Sequence, residues 1–299
     1  MNTYVKNYWS LYLDFIRDFQ QLNYRGFSLS YIIHFPSLIR NNTELWNALY
    51  EKRFNQRLKN QVKDPKEIQE VFNKYVHSHR NSSLQDNKNG KVVVNFDTIL
   101  RFSEMTFNNY FDKSQTMVVM AGSKNNKRPD VAAIKNKMVY NFPTRYLSNY
   151  TINTKNAIHQ VQNQARGIFH SYNNHHLYSE KNFQSLLLKK IAEVINRIEQ
   201  TICFLDEVPT SCLIVSTTHS YISRILSLVG AERGIPTICM QHGIIGNEFG
   251  FTPKIATVDA VYGKFELDWY EARGAKEGSA EIIGHPRFDQ AFQPPTISR

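Results

Sequence analysis

The sequence predicts an α/β fold, a Rossmann-like parallel sheet flanked by helices, and three observations predict it. The final third carries three short apolar runs broken by Gly or His, Pro236–Gly243 (PTICMQHG), Asp259–Gly263 (DAVYG) and Glu281–Asp289 (EIIGHPRFD), the first two of which feed helical segments. Upstream, Cys212–Ser216 is another buried run, so Ser211 to Gly243 reads strand, helix, strand with a connection long enough for a crossover between parallel strands. Between Glu180 and Leu205 the residues Leu187, Leu188, Ile191, Val194, Ile195, Ile198 and Ile202 recur in the 3,4 alternation of a helix that covers a sheet.

Residues 1–80 read as a mainly helical region, because Trp9, Tyr12, Leu13, Phe15, Ile16 and Phe19 share a helical period, as do Leu45, Leu49, Phe54 and Leu58. Such aromatic stripes pack into a core or against a partner helix. A membrane-surface role is the competing reading, with Lys6, Arg17 and Arg25 flanking the first stripe and Asp14 and Asp18 weakening it.

The polar stretch 81–90 is the expected linker, after which 91–289 form the Rossmann-like domain and 290–299 begin a further linker. Strands are expected at Lys91–Phe96 and Thr116–Ala121, with a weaker one at Val139–Phe142, and the basic loop Lys124–Arg128 lies between the last two. From Thr154 to Tyr178 the chain is polar and histidine-rich, whereas Thr217 or Thr218 is placed to cap a helix that runs to Gly230.

Composition bounds the function. A chain of 299 residues with 41% hydrophobic content buries a sizeable core, and 36 Lys and Arg against 26 Asp and Glu, a net charge of +10, favour an anionic partner. The cations are dispersed rather than interleaved with aromatics, which argues against a nucleic-acid partner. Cys203, Cys212 and Cys239 lack paired spacing and read as reduced, buried thiols of a cytoplasmic protein. No apolar run reaches the roughly 20 residues of a membrane span, and the first residues lack a signal-peptide core. His77, His79, His175 and His176 complete no metal-ligand spacing, so no metal is assigned, and the absence of a glycine-rich dinucleotide or phosphate-loop motif leaves no cofactor assigned.

In open parallel sheets ligands bind at the carboxyl ends of the strands. His242, the residue before Gly243, is the candidate catalytic base, since imidazole is matched to taking a proton from a hydroxyl near neutral pH and a glycine there permits a sharp turn and close ligand approach. His219 lies at the start of a predicted helix, where an anion is favoured. Lys264 and Glu266 open the helix after Gly263, and His285 and Arg287 follow the last strand. Structural roles compete at each: a loop-bonding histidine at 242, dipole compensation by Glu266 and a turn at Pro286–Arg287.

The succession PTICMQHG, AVYGKFELDWYEARGA and EIIGHPRFD resembles the end of the N-terminal domain of GT-B glycosyltransferases that build bacterial surface polysaccharides, including capsule enzymes and the CDP-glycerol glycerophosphotransferases of teichoic acid synthesis. The similarity covers residues 210–290. It implies the acceptor-side half of a two-domain enzyme, with a glycan or lipid-linked acceptor bound here, a nucleotide-sugar donor bound by a C-terminal domain that this chain lacks, and little activity from the chain alone. It implies His242 as catalytic base or cleft residue, and association with the inner face of the cell membrane. After His242-Gly243 the chain continues Ile244-Ile245-Gly246-Asn247-Glu248, unlike the Thr/Pro-containing continuation of the glycerophosphotransferases, which favours sugar transfer over polyol-phosphate transfer. The other classes weighed are a non-catalytic binding or scaffold module docking through residues 1–80, and a nucleotide-sugar epimerase, for which Glu248 and Glu266 are the nearby carboxylates.

Overall fold

In a computed structural model of the chain, residues 1–81, 89–97, 102, 104–122 and 142–292 are described. Two short strands, β1 (Asn23–Tyr24) and β2 (Phe27–Ser28), form an antiparallel hairpin. The strands β3 (Lys91–Asn95), β4 (Thr116–Met120), β5 (Thr144–Tyr146), β6 (Thr210–Val215), β7 (Thr237–Met240), β8 (Val258–Val261) and β9 (Ala280–Ile282) form one seven-stranded sheet. Its order is β5-β4-β3-β6-β7-β8-β9 and every pairing is parallel. Two wings diverge from the β3/β6 centre, which is the doubly wound order of a Rossmann-like fold.

Helices cover both faces, and that is why the strands read as continuous apolar runs instead of alternating ones. Val93, Val119 and Leu213 point to the face packed by the larger core cluster, while Val94, Val118, Ile214, Met240 and Ala260 point to the other. Register follows from that division: Val94 lies opposite Val118 and Ile214, and Met240 opposite Ala260. Gly90 permits β3 to start against β6, since a Cβ there would stand 2.7 Å from the backbone of Thr210 and Ser211.

On the larger face lie α1 (Thr3–Asp18), α5 (Lys66–His79), α7 (Lys155–Ser171), α8 (Lys181–Glu207) and α9 (Tyr221–Glu232), with the short α2 (Leu29–Ile32), α3 (Phe35–Ile39) and α4 (Thr43–Ala48) between α1 and α5. The opposite face is covered by α6 (Glu104–Tyr110), whose Phe107 packs on Phe96 and Phe142. A further α-helix, α10 (Lys264–Glu271), follows β8.

Residues 1–80 are mainly helical, and their apolar stripes face inward, in the same core as the helices on the sheet. Every residue of α1 from Asn7 to Ile16 is buried. Three of these are polar and fall on one face, and each is bonded to the segment that wraps it. Asn7 Nδ2 donates to the carbonyls of Leu49 and Glu51, Ser10 Oγ accepts from Val62 N, and Asp14 accepts from Lys59 N, Asn60 N and Asn60 Nδ2. A helix buried on all sides holds its polar positions only where each is satisfied in this way.

Of the expected strand Val139–Phe142, residues 139–141 lie outside the described residues; Phe142 is a buried core residue, and β5 begins at Thr144. The helix expected from Thr217 or Thr218 begins instead at Tyr221 with Ser220 at its cap position, because Thr217 Oγ1 accepts from His219 N and closes a turn first. The polar stretch after Thr154 contains α7, which buries only Val161, Ala165, Ile168 and Phe169, a stripe too narrow to stand out in the sequence. Of the cysteines only Cys239 is buried; Cys203 and Cys212 are half-buried, and all three are unbridged. Among the described residues no helix is long and apolar enough to cross a membrane. Positions 82–88, the basic loop Lys124–Arg128 and residues 293–299 fall outside the described residues.

Asp14→Ala strands the Lys59 and Asn60 amides without partners, and urea unfolding is expected to show a loss of about 2–4 kcal/mol. A loss below about 0.5 kcal/mol would mean that these amides find other acceptors.

Candidate functional site

Because β7, β8 and β9 run parallel in adjacent positions, the residues that follow them meet at one edge. Gln241, His242 and Gly243 leave β7, Tyr262, Gly263 and Lys264 leave β8, and Ile283, Gly284 and His285 leave β9.

Gln241, 5% exposed, organises this edge. Its Oε1 accepts from Tyr262 N at 3.0 Å, its Nε2 donates to Gly243 O at 2.8 Å and to Glu266 Oε1 at 3.4 Å, and its carbonyl accepts from Tyr262 Oη at 2.8 Å. One side chain thereby ties the ends of β7 and β8 to the first turn of α10.

His242 is half-buried, and its ring stacks on Phe251 with centroids 4.6 Å apart and an interplanar angle of 12°. It lines a crevice of about 10 Å³ together with Thr217, Thr218, Gln241, Phe251 and Tyr270. That is the room of roughly one water. Among the described residues, the crevice at His242 is smaller than a sugar substrate.

Gly243 is not among the described glycines with positive φ, which are Gly26, Gly234, Gly274, Gly278 and Gly284. A Cβ at 243 would meet open space, so a ligand can still approach the backbone there. Lys264 is exposed at the start of α10 and pairs with Asp268 at 2.8 Å. Glu266 curls back toward Gly263, where a Cβ would lie 3.5 Å from its Oε2, as well as meeting Gln241. His285 stacks on Tyr262 with centroids 4.2 Å apart and leans on Phe288. Arg287 lies in the short 3-10 helix Pro286–Phe292, and its side chain is outside the described residues.

His219 lies beneath the edge instead of on it. Both of its ring nitrogens are sealed from solvent, and its ring meets that of His34 edge-on at 5.9 Å. Burial, aided by the neighbouring Arg224 guanidinium, pushes His219 well below the usual histidine range and takes His34 down to about 4. With both ring nitrogens sealed and burial disfavouring the charged ring, this placement does not favour the anion contact expected of His219.

Several residues that the sequence left unmarked build the surroundings. Arg224, 2% exposed, donates to the carbonyls of Thr218 and Tyr31 and to Tyr12 Oη, locking the turn after β6 onto α1 and α2. Glu248 accepts from Trp9 Nε1 at 2.9 Å and pairs with Arg273 at 3.1 Å, holding the loop after β7 between α1 and the tail of α10. At the β3 and β4 ends Asp97 accepts from Ala121 N and Asn95 Nδ2.

Comparisons with family profiles, curated proteins and solved structures give no significant match for this chain. The functional reading therefore rests on geometry.

Buried neutral histidines make stability pH-dependent. His34, His175 and His176 are each lowered to about 4, chiefly by burial, and His219 is also held well below the usual histidine range. Against an unfolded value near 6.5, the unfolded chain binds more protons in this window, so their stabilisation is complete above about pH 6.5 and is lost as pH falls toward 4. Asp14 and Asp259, raised by burial, act in the opposite direction. Urea midpoints measured from pH 7 to pH 5 are expected to fall steadily; a midpoint that holds or rises would show these imidazoles charged in the folded protein.

Proposed function

We propose that this chain is the acceptor-side domain of a GT-B-type glycosyltransferase that moves a sugar from a nucleotide-sugar donor to a hydroxyl of a surface glycan or lipid-linked acceptor. The observation that carries the reading is the position of His242: part-exposed, at the carboxyl end of a central parallel strand, beside the ends of two further strands that contribute Glu266 and His285.

The surface around it favours a cleft between two bodies. Ile244 is 87% exposed, Phe265 64% and Phe288 59%, and all three follow strand ends on this edge, with Ile283 among them. Clustered exposed apolar side chains mark a surface that something covers. With only a water-sized crevice at His242, a donor-binding domain closing on this apron would supply the missing wall.

In the proposed reaction the acceptor hydroxyl lies against His242, which takes its proton as the oxygen attacks the anomeric carbon. The new C–O bond forms, the bond from that carbon to the donor phosphate breaks, and the nucleotide leaves with the bonding electron pair. His242 acts as the base in this step, and its stack on Phe251 fixes the ring plane.

Two competing classes find less support. Docking through the apolar stripe of residues 1–80 is disfavoured because that stripe is buried in the chain's own core. An epimerase would need free cleft carboxylates, but Glu248 is engaged by Trp9 and Arg273 and Glu266 by Gln241.

In the complete enzyme, His242→Gln is expected to lower nucleotide release from a nucleotide sugar in the presence of acceptor by about 10²–10⁴-fold, with the thermal midpoint held within about 2 °C. An unchanged rate removes His242 from the chemistry.

A further inference from the structure

A cavity of about 730 Å³ lies at the opposite edge of the sheet, where the chain enters β8 and β9. Its walls are α5 on one side and the segments 254–258 and 275–279 on the other. The volume falls within the roughly 300–1,000 Å³ of small-molecule sites.

The walls are held in place by bonds that a slack gap between loops would not have. Gln69 pairs with the Lys254 backbone in both directions, accepting from its N at 2.7 Å and donating to its O at 3.0 Å. Asn73 Nδ2 donates to Gly274 O at 3.1 Å. Lys254 Nζ, buried, reaches Asp259 at 2.8 Å and Ser279 O at 2.9 Å and so bolts the two segments together. Gly274 and Gly278 turn the outer segment at φ +83° and +74°, and a Cβ at 274 would press on Lys66 at 3.2 Å.

The charge inside this frame is one-sided. Lys74 and Arg80 on or just beyond α5 face the cavity with Lys276 opposite, and Glu277 is the acid among the lining residues that has no cation bonded to it. Lys254, which also lines the cavity, is paired with Asp259, whereas among the described residues Lys74, Arg80 and Lys276 form no ion pair. Three positive side chains against one negative, in a concave site, concentrate the field on whatever enters. His77, one turn from Lys74 on the same helix, adds a ring nitrogen donor to the lining.

We propose that this cavity is a second binding site, for a small soluble ligand carrying two or more phosphate charges. Lys and Arg converging from two walls suit phosphate oxygens. A lipid bilayer is too flat to enter the cavity, and a nucleic acid would need a long basic track instead of three cations. The site is independent of the glycosyl-transfer reading, because it lies on the edge of the sheet away from His242.

Isothermal titration of the full chain with pyrophosphate tests it, using Lys74→Ala/Lys276→Ala, a control pair Lys113→Ala/Lys181→Ala at exposed positions elsewhere, and His242→Gln. The expected result is saturable one-to-one binding that weakens at least 10-fold in Lys74→Ala/Lys276→Ala, weakens with added NaCl, and is kept by the control pair and by His242→Gln. Absence of saturable binding at millimolar pyrophosphate, equal loss in both double variants, or loss in His242→Gln alone would overturn the proposal. So would binding confined to anionic vesicles or single-stranded RNA.

Discussion

The constraint on which the structure depends is that every pairing in its large sheet is parallel. A parallel strand cannot return by a tight turn, so each connection must cross a face, and each crossing carries apolar cover with it. The strand ends then gather at two edges of opposite character. At the carboxyl edge of β7 to β9 stand His242, Glu266 and His285 among exposed apolar residues; at the amino edge stands a pinned cavity lined by unpaired cations.

The N-terminal helices make the carboxyl edge rigid. Helix α1 runs buried on all sides, and from within the core it reaches the site twice, through Trp9 to Glu248 and through Tyr12 to Arg224. Those two contacts fix the loops after β7 and β6. Arg224 in turn lies beside His219 and His34, and its charge together with their burial keeps both imidazoles neutral. The helical region is therefore part of the site's supporting structure as well as of the core.

Much of the fold was legible because burial on two faces writes uninterrupted apolar runs: β3, β4, β6, β7 and β8 all begin or end within two residues of the runs that predict them. The apolar stripe of α8 was equally plain, although Leu188 and Ile202 are only half-buried and Phe183 and Phe204 extend the contact at either end. Helix α7 was illegible for the converse reason, a narrow stripe among polar residues. In the site, His242 announced itself by following an apolar run, but Gln241 beside it did not, since its role arises from Tyr262 and Glu266 on a neighbouring strand end. Trp9 and Glu248 are 239 residues apart, and no local pattern foretells such a contact. His219 reads the same in sequence whether it faces a ligand or is turned away from one; packing decides, and here its ring nitrogens are sealed.

The central claim is that the substrates of the proposed transfer meet this protein at the carboxyl ends of β7, β8 and β9. Hydrogen–deuterium exchange on the protein, with and without a nucleotide sugar and a glycan acceptor, tests it most directly. The account predicts slowed exchange at residues 241–246, 262–266 and 283–286 when both are present. Slowing confined to other segments, with these three unchanged, would contradict it.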